Sequence, residues 1–322
     1  MKRYKAALLN VSCPLVDYVF APDHFAQLEE ITEWKKGIFD LSHVEKGELE
    51  DIEVIFSTWG MPGMKEEHFR KLPNLKAVFY AAGATEGFAP GCFDHNVQVF
   101  SAWHANAIPV AEYCLGQILL GLKGYFRCQR ELTSPEKFNR DLAGRGIYGD
   151  TVALVGTGAV STYLQKLLKA FHINVMVISS LKEGRRAALE EAFKKAAVIS
   201  NHLPDKEEDT GIYDESLFRS MREGAVFINT GRGRQVVEED LIKVMEERQD
   251  LTALLDVTFP EPPKKGSKLY TMKNILLSPH IAGSLNDEVH RLPDCMIEEY
   301  KRYANEEETL YEVKPEMLLT AK

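Results

Sequence analysis

The sequence predicts an α/β protein built on two doubly wound parallel sheets. Three observations carry this. A chain of 322 residues exceeds one compact core of ordinary size. Short apolar runs alternate with helix-length charged stretches in both halves. A polar, glycine-bearing stretch, residues 132–150, divides the runs into two sets, and a hinge is expected near it.

In the first set, "YKAALLN" from Tyr4, "IEVIFSTWG" (52–60) and "LKAVFYAAG" (75–83) are apolar runs that end in polar or glycine-bearing turns, which is βαβ alternation. "VQVFSAW" (97–103) follows. Asn106 then caps a helix with Pro109 in its first turn; Val110, Ala111, Cys114, Leu115, Ile118, Leu119 and Leu122 give it a wide apolar face. In the second set the strands read "TVALVG" from Thr151, "NVMVIS" (174–179), "AVISNH" (197–202), "AVFINT" (225–230), "TALLDV" (252–257) and "NILLSP" (274–279). Six such runs separated by helix-length segments describe a doubly wound sheet. The closing "DEVHRLPDCMIEEYKRYANEEE" reads as an amphipathic helix with a solvated charged tail.

Composition excludes several classes. A net charge of −9 without a Lys/Arg stripe argues against nucleic acid as a partner. Cys13, Cys92, Cys114, Cys128 and Cys295 are scattered, with no C-x-x-C pair, so neither a disulfide framework nor a metal site is expected; they read as small core residues in a reducing compartment. The opening "MKRYKAALLNVSCPLVDYVF" is broken too early by Asn10, Pro14 and Asp17 to be a signal peptide. No other segment reads as long and apolar enough to span a bilayer, so no membrane partner and a cytoplasmic location are expected.

"VALVGTGAVS" (152–161) ends a strand at Gly156 and begins a helix, with Gly158 second and Ser161 where a third glycine completes the dinucleotide fingerprint. Backbone N–H groups at Gly156, Gly158, Ala159 and Val160, together with the positive helix end, suit a pyrophosphate. Serine is small, and its hydroxyl can return to a helical carbonyl. The next strand ends in Ser179 where an acidic residue usually meets the ribose. Ser179 cannot repel a 2′-phosphate, and Lys182, Arg185 and Arg186 could neutralise one, so the cofactor reads as NAD or NADP with a slight lean to NADP. Residues 180–197 have room for about one helix, which opens the adenine side.

Ligands of open α/β sheets bind beyond the carboxyl ends of the strands. There the sequence sets Arg232 after "AVFINT", Glu261 after "TALLDV" and His280 after "NILLSP". A guanidinium pairs with a carboxylate or carbonyl, an imidazole passes a proton near neutrality, and a carboxylate on its second nitrogen fixes the tautomer. With a nicotinamide, this set can interconvert a 2-hydroxy acid and a 2-oxo acid.

These residues resemble the D-isomer-specific 2-hydroxyacid dehydrogenases through nearly the whole chain. The likeness is most specific in "INTGRGRQVVEEDL", "LLDVTFPEP" and "NILLSPHIAG" (228–283), supported by "SNHLP" (200–204), "IPVAEYCLG" (108–116) and "FYAAGAT" (79–85). The resemblance implies a Rossmann NAD(P)-binding domain, residues 105–286, inserted into a flavodoxin-like substrate domain made of 1–104 and 287–322. It also implies a homodimer built partly on the 107–126 helix. By the same resemblance Arg232 binds substrate carboxylate and carbonyl, His280 is the acid/base and Glu261 its partner. Gly83 and Ala84 offer N–H groups to the substrate. Trp59, in "STWGMP", reads either as shaping the substrate pocket from its loop or as an aromatic that fills a domain cleft. Thr230, Asp256 and Gly283 lie by the nicotinamide, and Leu203 and Pro204 line the adenosine side.

Departures from the family pattern are Ser161, Ser179, the short 180–197 segment, Thr85 and "DKEEDTG" (205–211), and all bear on cofactor choice. The expected activity is an oxidoreductase on a small, neutral-tailed 2-oxo acid such as glyoxylate or hydroxypyruvate. The alternative is an NAD(P)-sensing regulator of the same fold.

Overall fold

The computed structural model describes residues 1–179 and 183–319. The chain forms two compact units, one of residues 1–106 with the segment from 284 onward, the other of residues 107–283. The 132–150 stretch therefore lies inside the second unit and is no hinge between the two.

The first unit holds five parallel strands: β1 (Lys5–Leu9), β2 (Glu33–Phe39), β3 (Val54–Ser57), β4 (Ala77–Tyr80) and β5 (Gln98–Ser101), in the order β2-β1-β3-β4-β5. This is the flavodoxin-like order. β3 and β4 are buried on both faces, as their unbroken apolar runs require of a covered parallel sheet. β2 is the strand that the sequence reading passes over as a charged, helix-compatible stretch. It is an edge strand, "EWKKGIF", and its register against β1 shifts between Ala6 and Leu8; lysines and a bulge keep such an edge from recruiting another chain.

Phe56, Phe79 and Phe100 face one another across β3, β4 and β5, with ring centroids 5.3 and 4.7 Å apart. Tyr300 of the helix Arg291–Ala304 packs against the first two rings. The C-terminal segment thus completes the core begun by the N-terminal one. Its tail is not simply solvated. The fully buried Glu299 carboxylate accepts the N–H groups of Leu310 and Tyr311 at 2.6 and 2.7 Å, and Glu312 bridges to Phe100 of β5.

The second unit holds all six strands read from the sequence: β6 (Thr151–Val155), β7 (Asn174–Ile178), β8 (Val198–Asn201), β9 (Val226–Asn229), β10 (Thr252–Leu255) and β11 (Ile275–Leu277), parallel, in the order β11-β10-β9-β8-β6-β7. Among the described residues, one helix, Arg185–Lys195, fills the short return from β7 to β8. β7 is left at the sheet edge with Val175 and Val177 exposed.

The apolar helix runs Trp103–Leu122, so Pro109 lies inside it and Asn106 is no cap. Instead Asn106 Oδ1 accepts the N–H of Ser284 at 3.1 Å, which pins together the two points where the chain leaves and re-enters the first unit. By length and composition this helix could cross a membrane, an exception to the sequence reading. Ala111, Cys114, Ile118 and Leu122 are nevertheless packed against Val152, Val198 and Val226 in the second unit's core. Cys92 and Cys114 are buried as read, but Cys13 is exposed.

His24, in the first unit, accepts the Ala21 N–H at Nδ1 (2.9 Å) and meets Asp294 through Nε2 (3.1 Å), with the His290 ring 5.7 Å away. Burial outweighs the pull of Asp294 and, with the His290 charge, holds His24 below the ordinary imidazole value of 6.5. The unfolded chain therefore takes up this proton first, so the contribution is complete above pH 6.5 and lost as pH falls. Urea midpoints should drop between pH 8 and pH 5, and His24→Gln should flatten part of that slope. Identical slopes in the two proteins would refute the assignment.

Candidate active site

In the second unit the chain turns back across the sheet between β6 and β8, the position where open α/β sheets bind ligands. Gly156 ends β6 with φ +111°, and a Cβ there would stand 2.8 Å from the carbonyl oxygen of His202. Only glycine fits this approach. Gly158 is the N-cap of the helix Ala159–Leu168, and a Cβ on it would meet nothing within 4 Å. Ala159 and Val160 form the first turn of that helix. Ser161 belongs to the same first turn; it is fully buried, and its hydroxyl accepts Gln165 Nε2 at 3.4 Å.

Beside this turn lies His202, which the sequence reading did not single out. Its Nδ1 pairs with Thr230 Oγ1 at 3.2 Å, and burial pushes its ring down to about 3, so it stays neutral. Its Nε2 is buried without a partner among the described residues. A free cradle over Gly158 and an orphaned nitrogen at the neighbouring strand end fit a polar ligand such as a dinucleotide.

Arg232, Glu261 and His280 follow β9, β10 and β11, three adjacent strands, at one sheet edge. His280 Nδ1 donates to Glu261 Oε1 at 2.7 Å, which leaves Nε2 for another partner. Glu261 is set by the Thr258 N–H at 3.4 Å, and it lies between the cis peptides Phe259–Pro260 and Glu261–Pro262. The guanidinium of Arg232 donates to the Gly231 carbonyl at 2.8 Å and lies 3.8 Å from Asp205, itself held at 2.6 Å by Arg234. No hydrogen bond or ion pair joins the Arg232 side chain to the other two.

His280 adopts φ +55° on a tightly held turn. The buried Asp256 carboxylate accepts Ser278 Oγ at 2.6 Å and the N–H groups of Ile281 and Ala282 at 2.9 Å, one residue short of Gly283. Tyr113 extends this chain to Ser278 at 2.7 Å. Asp256 thus anchors the turn that carries His280, a task its place in "TALLDV" does not signal. Gly233, next to Arg232, packs so closely on Thr258 that a Cβ would lie 2.0 Å from its carbonyl.

In the first unit, Ser101 Oγ donates to the carbonyls of Ala82 and Gly83 at 2.7 and 2.9 Å. This fixes the "AAGAT" turn, and the N–H groups of Gly83 and Ala84 carry no hydrogen bond among the described residues. Trp59 is half-buried against both apolar clusters of this unit, and its carbonyl is held by Asn10 at 3.0 Å.

At the end of β7, Ser179 brings no charge. Arg185 is buried against Asp209 at 2.6 Å, and Arg186 forks onto Asp214 at 2.8 and 3.2 Å. Both arginines thus already hold a carboxylate; Lys182 lies outside the described residues. Among the described residues no cluster of His, Cys, Asp and Glu could hold a metal ion.

Comparison with known proteins agrees with this geometry. Residues 115–282 match the model of the family described as D-isomer specific 2-hydroxyacid dehydrogenase, NAD binding domain. YoaD of Bacillus subtilis, provisionally named a 2-hydroxyacid dehydrogenase, is 30% identical over 229 residues, 67% of each chain. A hydroxypyruvate reductase of Thermotoga maritima is 26% identical over 64% of this chain and 69% of its own. The D-mandelate dehydrogenase structure of Rhodotorula graminis superposes with a TM-score of 0.76 at 18% identity, covering 97% of this chain and 98% of that one.

Gly158→Ala should leave folding stability within ~0.5 kcal/mol but weaken NADH binding about tenfold or more, because the new methyl fills the cradle. Unchanged NADH affinity, measured by nicotinamide fluorescence, would move the dinucleotide away from this turn. Gly233→Ala must displace Thr258 and with it Glu261, so kcat/KM for a 2-oxo acid should fall ~100-fold or more.

Proposed function

This chain belongs to the D-isomer specific 2-hydroxyacid dehydrogenases, and we propose on that premise that it interconverts a small D-2-hydroxy acid and its 2-oxo acid, in the manner of glyoxylate and hydroxypyruvate reductases. The observation that carries the proposal is the 2.7 Å pair of His280 with Glu261 at the sheet edge that also presents Arg232. A bound nicotinamide supplies or accepts the hydride. Arg232 binds the carboxylate and carbonyl of the 2-oxo acid through its planar fork. His280 gives a proton from Nε2 to the developing alkoxide, or removes it in the reverse direction. Glu261 keeps the proton on Nδ1 and stabilises the imidazolium. Gly83 and Ala84 offer two N–H groups to the substrate carboxylate. The early loop "STWGMPG" holds no arginine for a second anionic group, which favours a neutral-tailed acid.

The cofactor is held by Gly156, Gly158, Ala159 and Val160 at its phosphates, with Leu203, Pro204 and Ser179 on the adenosine side and Thr230, Asp256 and Gly283 by the nicotinamide. Arg185 and Arg186 each already meet a carboxylate, Asp209 and Asp214, and this pairing supports NAD over NADP as the cofactor. A homodimer fits the apolar side chains left exposed on the second unit at Leu120, Tyr125, Leu132, Phe138 and Tyr148.

A panel of small 2-oxo acids assayed in parallel with NADH and NADPH should show turnover, faster with NADH. Silence across the panel, with NADH bound, would favour a sensor. His280→Ala should lower kcat by ~10²- to 10⁴-fold while NADH still binds, and near-normal turnover would remove the acid/base role. Arg186→Ala should change the KM for NADH and NADPH alike; a selective loss of NADPH would restore the NADP reading.

A further inference from the structure

Behind the edge of β8 and β9 lies a cluster of three carboxamides, Asn201, Asn229 and Gln235, all without solvent exposure. Burying primary amides is costly unless their groups are paired. Asn201 and Asn229 are register partners at the ends of their strands. Asn201 Nδ2 donates to Asn229 Oδ1 at 2.8 Å and to Gln235 Oε1 at 2.7 Å, and its Oδ1 accepts the Tyr213 hydroxyl at 2.7 Å and the Leu203 N–H at 3.1 Å.

The outward bonds converge on one residue. Gln235 Oε1 accepts the Arg232 N–H at 3.1 Å, and Asn229 Nδ2 donates to the Arg232 carbonyl at 3.2 Å. Asn229 Oδ1 also takes the Gly231 N–H at 3.1 Å. Both main-chain groups of Arg232 are therefore held by side-chain amides. The other end of Gln235 reaches elsewhere: Nε2 donates to the carbonyl of Pro204 at 2.7 Å.

The geometry points to Gln235 as a positioning residue that ties Arg232 and the Leu203–Pro204 turn to one amide, with Asn201 as its anchor. This rests on the reading that Arg232 binds the 2-oxo acid and that Leu203 and Pro204 flank the dinucleotide. An apolar side chain at 235 fills the same space but frees both loops. A guanidinium displaced by ~1 Å loses on the order of 100-fold in efficiency.

The test compares the full-length parent, Gln235→Leu and Gln235→Glu, with thermal unfolding as a check of the fold. NADH binding and oxamate binding to the NADH complex are followed by nicotinamide fluorescence, and KM for the best 2-oxo acid is taken from pH 5.5 to 8.5. Gln235→Leu should raise the oxamate Kd and the substrate KM about tenfold or more, with a smaller change in kcat. In Gln235→Glu the protonated carboxyl still accepts from Arg232 and donates to Pro204, whereas the ionised form repels the Pro204 carbonyl. Its KM relative to the parent should therefore be near one at pH 5.5 and climb with pH, which a merely structural residue would not produce. A folded Gln235→Leu with parental oxamate Kd and KM overturns the proposal, as does a flat KM ratio for Gln235→Glu. Should Gln235→Leu fail to fold, the KM ratio of Gln235→Glu decides alone. A parent that binds NADH and oxamate but reduces no 2-oxo acid removes the proposed reaction, while the oxamate comparison still judges Gln235.

Discussion

Parallel pairing is the constraint on which the second unit depends. A strand that runs beside its predecessor in the same direction must be re-entered from the same end, so each return crosses a face of the sheet and all carboxyl ends open at one edge. The unit exploits this in five parallel pairings among six strands. The glycine turn after β6, the His202 turn after β8 and the loops bearing Arg232, Glu261 and His280 become neighbours although more than a hundred residues separate the first from the last. No long-range interaction had to be specified for that convergence. It follows from apolar runs that end in a line.

At that edge the polar side chains divide into those that meet a ligand and those that hold the ones that do. Asp256 spends its carboxylate on the 278–282 turn, and Asn229 spends both ends of its amide on the Arg232 loop. Glu261 stands between the two groups, fixing the imidazole it touches. The outward-facing set is smaller than the count of polar residues suggests, since most of the buried hydrogen-bonding capacity is internal scaffolding. Such scaffolding allows flexible side chains like Arg232 to start from a defined backbone.

The same division explains what the sequence made legible. Strands β6, β8, β9 and β10 could be read because they are buried on both sides and so appear as unbroken apolar runs, and the edge strands β7 and β11 because they keep apolar residues even where these are exposed. Arg232, Glu261 and His280 could be read because each follows such a run. β2 could not: an edge strand with two lysines carries the composition of a solvated helix. The start of the long helix at Trp103 was hidden by Pro109, whose usual place in a first turn proved misleading once tertiary packing extended the helix backward. The tasks of Asn201, Gln235 and Asp256 were invisible because, apart from the short reach of Gln235 to Arg232, they depend on partners 22 to 34 residues away, with no periodic spacing to announce them. The basic cluster after β7 was legible as charge but not as charge already paired.

The bond between Asn106 and Ser284 has a consequence for how such a chain could arise and be rebuilt. The ends of the intervening segment are held a hydrogen bond apart within one hydrophobic unit, so that unit experiences everything between them as a single surface loop. Closure entropy grows only with the logarithm of loop length. The first unit is therefore nearly indifferent to whether that loop is a few residues or an entire sheet. Residues 106 and 284 mark a graft site: a seam at which one fold could be spliced into another and exchanged again, provided the insert carries on the helix that begins at Trp103.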